Sequence, residues 1–246
     1  MKKNKIYFAS DFHLGSPNIE ESHRREKKII NWLTEIEEEA CAIYLLGDIF
    51  DFWFEYSKVV PKGFVRLLGK LALLKDKGID LHLFVGNHDL WTYDYLYTEI
   101  GINIHYKPKI IELQGRKFFI GHGDGIGRGD YFYKFIKIIF CSKICQLGFS
   151  FLHPDLGIYL AQTWSNRSRK NNNPKFINKE KEILFRYCKK NQLIRPVDYY
   201  IFGHRHIPLE LKVDNLATYI NLGDWISHNT YCVLDNGEAR LKSYKK

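Results

Sequence analysis

An α/β architecture follows from three features of this 246-residue sequence. Short apolar runs alternate with segments of helical periodicity through the N-terminal third, the pattern of strand–helix–strand units. Five apolar runs are followed directly by a polar motif containing Gly or Asp, the usual composition of a strand tip that carries chemistry. In the C-terminal part, strand-like runs crowd together, which implies hairpins and a second sheet.

Residues 6–9 form the first apolar run and the first expected strand. Residues 22–38 read as a helix because Ile29, Ile30, Leu33 and Ile36 recur at helical spacing, with Glu37, Glu38 and Glu39 as a solvated end. Residues 42–46 read as a second buried strand. Residues 64–77 form a second helix whose stop suits Gly78, and residues 81–85 a third strand. Further strands are expected at 110–113, 117–121, 199–202, 209–213, 218–222 and 231–234. No internal repeat and no linker rich in Gly, Ser or Pro divides the chain, so one domain over 1–246 is expected. Only Asn171-Asn172-Asn173-Pro174 reads as a loop of low complexity.

A hydrophobic content of 45% with 26% charged residues excludes a disordered chain. No run of about eighteen apolar residues is present, which argues against a simple transmembrane helix. The basic N-terminus leads only into Ile6 to Ala9, too short for a signal sequence, so a cytoplasmic protein is expected. The cysteines are Cys41, Cys141, Cys145, Cys188 and Cys232; with no Cys-x-x-Cys pair, they are expected to be reduced and mostly buried. Cys141 and Cys145 could share a helix face, but no ligand pair beside them completes a zinc site. Charge is segregated: residues 128–195 carry 14 Lys/Arg against 4 Asp/Glu, and the remainder carries 23 against 24. A near-neutral body with a cationic insert suits nucleic acid, an acidic membrane or a phosphorylated ligand.

The five motifs are Asp11-Phe12-His13, Gly47-Asp48, Gly86-Asn87-His88-Asp89, Gly121-His122-Gly123-Asp124 and Gly203-His204-Arg205-His206. They place Asp11, His13, Asp48, Asn87, His122, His204 and His206 at strand ends. This oxygen and nitrogen set suits Mn, Fe, Zn or Mg rather than copper or an iron–sulfur cluster. Seven donors exceed one tetrahedral ion and suit two ions sharing a carboxylate. Among the other histidines, His23 and His105 read as surface or partly buried residues. His82 reads as structural, His153 as a loop residue, and His228, just after Gly223-Asp224-Trp225, as one that could approach the site.

In this order the motifs resemble the calcineurin-like metallophosphoesterases, over residues 11–206. The resemblance implies a four-layer αββα sandwich and a dinuclear centre. One ion would be held by Asp11, His13, Asp48 and His206, the other by Asp48, Asn87, His122 and His204, with Asp48 bridging. Two divalent ions less two carboxylates leave a net positive site that favours a phosphate ester and, more so, its transition state. Ions about 3.5–4 Å apart can share a hydroxide and clamp attacking and leaving oxygens. The resemblance makes His88 a residue beside the metals that steadies the phosphate or protonates the leaving group, and Asp89 could orient it.

Within the insert, Phe132, Phe135, Ile136, Ile139 and Phe140 recur at helical spacing among Lys134, Lys137 and Lys143. Two readings stand: a helix packed on the body, or an amphipathic helix over an acyl chain or an anionic bilayer. Nucleic acid is a competing partner for Lys/Arg with aromatics, but long aliphatic side chains fit lipid better than bases. Here the sequence is similar to a branch of that family, the UDP-2,3-diacylglucosamine hydrolases of lipid A biosynthesis, which insert a helical lid at this point; here the insert runs over 126–195. Asp130, eight residues after His122, matches that branch, as do Ser168, Asn172 and Lys175 in their spacing, and Leu222-Gly223-Asp224-Trp225 is similar. The resemblance implies an acylated UDP-sugar substrate cleaved to UMP and 2,3-diacylglucosamine 1-phosphate by water activated between two Mn²⁺ ions. Asp130, Ser168, Asn172 and Lys175 would hold the glucosamine and diphosphate, with Asn87, His88, His122 and His204 at the scissile end. The lid would shelter the acyl chains, at the cytoplasmic face of the inner membrane, with no nucleic acid and no obligate protein partner. The sequence departs from better-known members of that branch in having His88 where they have Arg. Two alternatives are a dinuclear phosphodiesterase or pyrophosphatase acting on a nucleotide or nucleic acid, and a non-enzymatic interaction protein.

Overall fold

A computed structural model describes residues 3–127, 131–171 and 178–245. It comprises, in chain order, β1 (Lys5–Ala9), α1 (Ile19–Ile36), β2 (Ala40–Leu46), α2 (Val65–Asp76), β3 (Asp80–Phe84), α3 (Tyr95–Ile100), β4 (Asn103–His105), β5 (Lys109–Leu113) and β6 (Arg116–Ile120). These are followed by α4 (Tyr131–Cys141), α5 (Lys143–Ser150), α6 (Pro154–Asn171), α7 (Ile183–Gln192), β7 (Tyr199–Phe202), β8 (Pro208–Lys212), β9 (Thr218–Leu222), β10 (Thr230–Asp235) and β11 (Glu238–Ser243).

Two sheets form. One has the order β11-β10-β1-β2-β3-β4, the other β5-β6-β7-β9-β8. Strands β1 to β4 run parallel, with Ala9 opposite Leu45 and Leu46 opposite Phe84. Strands β6, β7 and β9 are likewise parallel, with Ile120 opposite Ile201 and Phe202 opposite Asn221. A central strand buried on both faces needs apolar residues at every position. Strand β1 shows the division: Tyr7 and Ala9 face the helices, packing with Trp32 and Leu33 of α1 and Leu67 and Leu71 of α2, whereas Ile6 and Phe8 face the other sheet. Phe118, Ile120, Ile201 and Ile220 complete that inter-sheet core. Leu184, Phe185 and Cys188 of α7 cover the outer face of the second sheet against Tyr200, Phe202 and Tyr219. The result is the expected αββα sandwich.

Local chemistry explains the helix boundaries. Asn18 caps α1 by accepting from the Glu21 amide at 2.9 Å, and Glu20 and Glu21 lie in its first turn, where the dipole favours anions. Buried Glu26 accepts from the Leu67 amide at 3.0 Å, so a carboxylate of α1 caps α2. Glu55 does the same for α3 through the amides of Asp94 and Tyr95.

Between β6 and β7, the expected insert of 126–195 contains α4, α5 and α6, which stand apart from the sandwich, and α7, which packs on it. Ser142 separates the first two and caps α5 through the Cys145 amide, so Cys141 and Cys145 lie on different helices rather than on one face. No disulfide forms among the cysteines; Cys188 and Cys232 are buried, whereas Cys141 is exposed. Docking is aromatic. Phe149 of α5 packs against Trp91 at 4.6 Å and Phe54 at 4.8 Å between ring centroids, and the Trp91 indole donates to the Phe140 carbonyl at 2.8 Å.

Candidate active site

The carboxyl ends of β1, β2, β3, β6, β7 and β9 converge, and each strand tip sends polar side chains into one region. The loops are stitched to one another. The Asp11 amide donates to the Gly47 carbonyl at 3.0 Å, His13 to Asp48 at 2.9 Å and Gly203 to His122 at 2.8 Å. Arg25, buried in α1, donates to the carbonyls of His13 and Ser16 and fixes the loop after β1. Asp11, His13, Asp48, His204 and His206 all have left-handed φ between 45° and 66°, a conformation costly outside glycine. Five of the nine such non-glycine residues among the described ones are candidate ligands, so the strain is concentrated where donors converge. Gly47, at φ 82°, has no room for a side chain: a Cβ would lie 2.6 Å from His122 Nδ1.

Three donor groups result among the described residues; one, His13 with Asp51 and His88, overlaps the predicted ligands only at His13, and the other two are built from them. Asp11, His13, Asp48 and His206 each present one ligand atom within 4.8 Å of the others, and Asp48, His122 and His204 do the same. In the first, His13 Nε2 lies 3.2 Å from His206 Nε2, and Asp11 Oδ1 3.2 Å from His206 Nε2. In the second, His122 Nε2 lies 3.3 Å from Asp48 Oδ2, and Asn87 Oδ1 lies 3.2 Å from His122 Nε2 and 3.0 Å from His204 Nδ1. Asp48 belongs to both. All seven sequence-predicted donors are therefore brought together. Oxygen and imidazole donors aimed at two common points fit two hard-to-borderline divalent ions.

Electrostatics agree with sites built for cations. Burial opposes ionisation of Asp48, yet the His122 and His88 rings hold its carboxyl well below the usual range. Burial should lower His122 and His13, but the surrounding carboxylates, Asp48 for the first and Asp11 and Asp51 for the second, raise them to about 10 and about 9. His204 is pushed down to about 4 by burial and by the His122 charge. The cluster thus demands positive charge, which protons supply when ions do not.

The outer partners were less legible. The His122 Nδ1–H donates to the Leu46 carbonyl at 2.7 Å, which turns Nε2 toward Asp48. Asp224 Oδ2 lies 3.5 Å from His206 Nδ1 and its Oδ1 3.3 Å from His228 Nδ1, so His228 reaches the site only through Asp224. Asp89 does not orient His88. Its carboxylate accepts from the Gly86 amide at 2.7 Å and the Ile49 amide at 2.8 Å, and is consumed in holding the β2 and β3 loops together. His88 is held instead by Asp51, whose carbonyl accepts from His88 Nδ1 at 2.9 Å and whose carboxylate lies 3.4 Å from His13 Nδ1. Asp51 was not singled out in the sequence, although its place three residues after Asp48 on the same loop was an available signal. Asp124 accepts from Tyr133 and Lys137 of α4, both at 2.5 Å, and so ties the insert to the loop carrying His122. Asp130, Asn172 and Lys175 lie outside the described residues; Ser168 falls on α6, with its side chain outside them as well.

The fold and this site define a metal-dependent phosphoester hydrolase. The chain belongs to the calcineurin-like phosphoesterase family, whose profile matches residues 4–208. A Porphyromonas gingivalis protein named UDP-2,3-diacylglucosamine hydrolase is 38% identical, covering 98% of each chain. A protein of the same name from Aeromonas hydrophila is 26% identical over 96% of this chain and 97% of its own. In structure, an archaeal phosphodiesterase superposes with a TM-score of 0.51 at 15% identity, covering 98% of this chain and 99% of the other, which bears on the fold alone.

Proposed function

We propose that the protein hydrolyses the diphosphate of UDP-2,3-diacylglucosamine to UMP and 2,3-diacylglucosamine 1-phosphate, as a step in lipid A biosynthesis. The observation that carries this reading is the pairing of two Asp48-sharing donor clusters with an apolar, basic insert docked beside them, in a chain 38% identical along nearly its whole length to a protein of that name. Asp11, His13, Asp48 and His206 would hold one divalent ion and Asp48, Asn87, His122 and His204 the other, with Mn²⁺ as the native metal. Held by these residues, divalent ions would supply charge neutralisation at the diphosphate and activation of the attacking water.

The chain's own residues do the rest. Asn87 contributes a neutral oxygen and keeps the site cationic. His88 presents Nε2 toward Asp48 Oδ2, 4.0 Å away, because Nδ1 is committed to the Asp51 carbonyl. From there it steadies the phosphate or serves the leaving oxygen. Asp130, Ser168, Asn172 and Lys175 hold the glucosamine and diphosphate. Within a single 1–246 domain, the part of segment 126–195 that forms α4–α6 acts as the lid over the acyl chains, while α7 at its end packs on the second sheet. An open groove of about 410 Å³ lined by Lys134, Lys137, Ile138 and Cys141 beside Asp124 offers an apolar wall, its two ammonium groups being engaged by the Gly127 carbonyl and Asp124. Each methylene buried there is worth about 0.8 kcal/mol, so acyl length dominates binding. The protein works at the cytoplasmic face of the inner membrane.

Product analysis tests the reading. Purified protein with Mn²⁺ and detergent-dispersed UDP-2,3-diacylglucosamine should release UMP and lipid monophosphate, and Asp48→Ala should release neither. Turnover of a generic phosphodiester without turnover of the lipid substrate would send the substrate assignment elsewhere while keeping the metal chemistry.

A further inference from the structure

Strand β9 ends in Leu222-Gly223-Asp224-Trp225, a stretch that supplies no donor to either cluster yet touches two ligands of the first. It reaches Asp11 through its backbone: the Trp225 amide donates to the Asp11 carbonyl at 3.1 Å. It reaches His206 through a side chain: Asp224, 4% exposed, places Oδ2 3.5 Å from His206 Nδ1. The carboxylate is pinned from behind. Its Oδ1 accepts from the Ser227 amide at 2.7 Å and the His228 amide at 3.0 Å, and lies 3.3 Å from His228 Nδ1. The backbone around it is equally fixed. Thr230 Oγ1 donates to the Leu222 carbonyl at 2.5 Å, and Gly223, at φ 71°, has no room for a Cβ against that hydroxyl. Buried Trp225 packs edge-on against Phe12 at 5.4 Å and against Trp32 at 5.0 Å between ring centroids.

We infer that Asp224 is a positioning residue for His206: it fixes the tautomer and the ring edge with which His206 meets the first metal ion, so that ion's affinity depends on it and the second ion's does not. Nε2 of His206 lies 3.2 Å from both Asp11 Oδ1 and His13 Nε2, which makes it the metal-facing nitrogen. A neutral imidazole offers Nε2 as a lone pair only when its proton sits on Nδ1. Stacking on His13, at 4.8 Å between centroids, sets the plane of the ring but not which edge points inward. An anion beside Nδ1 decides both matters. It holds the proton on that nitrogen, and it disfavours the flipped ring, which would turn carbon toward Asp11 and Asp224 alike. The histidines of the second cluster are oriented by other groups, His122 by the Leu46 carbonyl and His204 beside Asn87 Oδ1. The two sites are therefore supported separately. This role rests on the metal-dependent reading of the site and not on the identity of the substrate.

Two readouts on the full-length protein test it. Mn²⁺ binding is followed by calorimetry. The His206 tautomer is read from ring ¹⁵N chemical shifts of the metal-free protein at mildly alkaline pH, with His206→Gln assigning the signals. Carboxylates behind metal-ligating histidines are worth about 10–100-fold in metal affinity. Asp224→Asn keeps the shape and removes the charge. It should weaken one Mn²⁺ equivalent about 10-fold, leave the other in place and shift His206 away from the Nδ1–H form. Asp224→Ala should weaken the same equivalent further, toward about 100-fold. Trp225→Phe separates this effect from loss of packing: it loosens the same loop but keeps the carboxylate, so it should lower the melting temperature with both Mn²⁺ affinities unchanged. Three results would each overturn the role of Asp224: equal weakening of the first equivalent by Trp225→Phe, a loss spread over both equivalents in Asp224→Asn, or an unshifted His206 tautomer in that variant. Should the alanine variant fail to fold, the isosteric asparagine variant decides alone. Wild-type protein that binds no Mn²⁺ would refute the metal reading, while the tautomer still decides what Asp224 does to His206.

Discussion

Asp48 is the one carboxylate shared by both donor clusters, and this dictates unequal consequences of removing otherwise similar acids. Asp11→Asn should cost one of two Mn²⁺ equivalents in a calorimetric titration, whereas Asp48→Asn should abolish both and leave no measurable hydrolysis. A single surviving equivalent in the Asp48 variant would show that the clusters do not share it. His88 admits a sharper test because its two candidate duties respond differently to the leaving group. Proton transfer by a positioned side chain is worth about 10²–10⁴-fold, and matters when the departing oxygen is basic. If His88 serves that oxygen, His88→Ala should lose about 10²-fold on an alkyl ester and far less on p-nitrophenyl esters; equal losses on both would assign it to phosphate binding. At this scale the sequence was most informative. Each ligand follows an apolar strand immediately, so position along the chain is position in the site. Asp51, Asp89 and Asp224 were harder to read because their partners are backbone amides and ring nitrogens from other loops, and no spacing in one segment reveals which carboxylate meets which.

Elements were legible in proportion to their length and burial. The long central strands and α1 and α2 came within a few residues of their observed limits, since both faces or one stripe must be apolar. Strand β4, helix α3 and strand β11 were absent from the sequence reading. They are short, or they are half exposed, as in β11 where Glu238, Glu210-bonded Leu241 and Arg240 sit at the sheet edge, and their pairing is supplied by neighbours rather than by their own pattern. Strand β4 carries a pH response. His105 lies between Phe84 and His82, and burial with nearby Lys109 pushes its ring from an ordinary 6.5 down to about 4. Between these values the unfolded chain binds a proton that the folded chain refuses, so stability is full above about 6.5 and falls as pH drops toward 4. The melting temperature should therefore fall between pH 7 and pH 5, and His105→Phe should flatten that dependence; an unchanged slope would place the acid sensitivity elsewhere. In the insert, Phe149 anchors α5 to Trp91 and Phe54. Truncating a packed Phe costs about 3–5 kcal/mol in a full core and less at this half-buried position. Phe149→Ala should thus expose α4–α6 to limited proteolysis while the melting temperature of the sandwich barely moves, because its three apolar cores lie elsewhere.

Taken as one object, the molecule separates two surfaces. Of 22 large hydrophobic side chains exposed among the described residues, ten fall between 131 and 160, nine on α4–α6 and Phe151 directly after α5, in the segment that also carries the basic excess. Ile144 is 85% exposed and Phe151 82%, which a monomer in water gains nothing by displaying. None of the described helices is long and apolar enough to cross a membrane; the contact proposed for this apolar face is with a bilayer surface. Charge alone does not account for such contact: Lys137 is paired to Asp124 and Lys134 turns to the Gly127 carbonyl, whereas Lys143 is exposed and can face anionic headgroups at about 1 kcal/mol. The apolar side chains are worth about 1.5–3 kcal/mol each when fully buried and do not respond to salt in that way. Adsorption should therefore be part electrostatic and part hydrophobic. Sedimentation with phosphatidylglycerol vesicles should weaken, without vanishing, as salt rises from 0.1 to 0.5 M, where screening shortens to a few ångströms. Ile144→Glu with Phe151→Glu should abolish the salt-resistant part while leaving hydrolysis of a small aryl phosphodiester intact. Binding that disappears wholly with salt, or that survives both substitutions, would mean that the exposed apolar face serves the acyl chains of the substrate and not the bilayer.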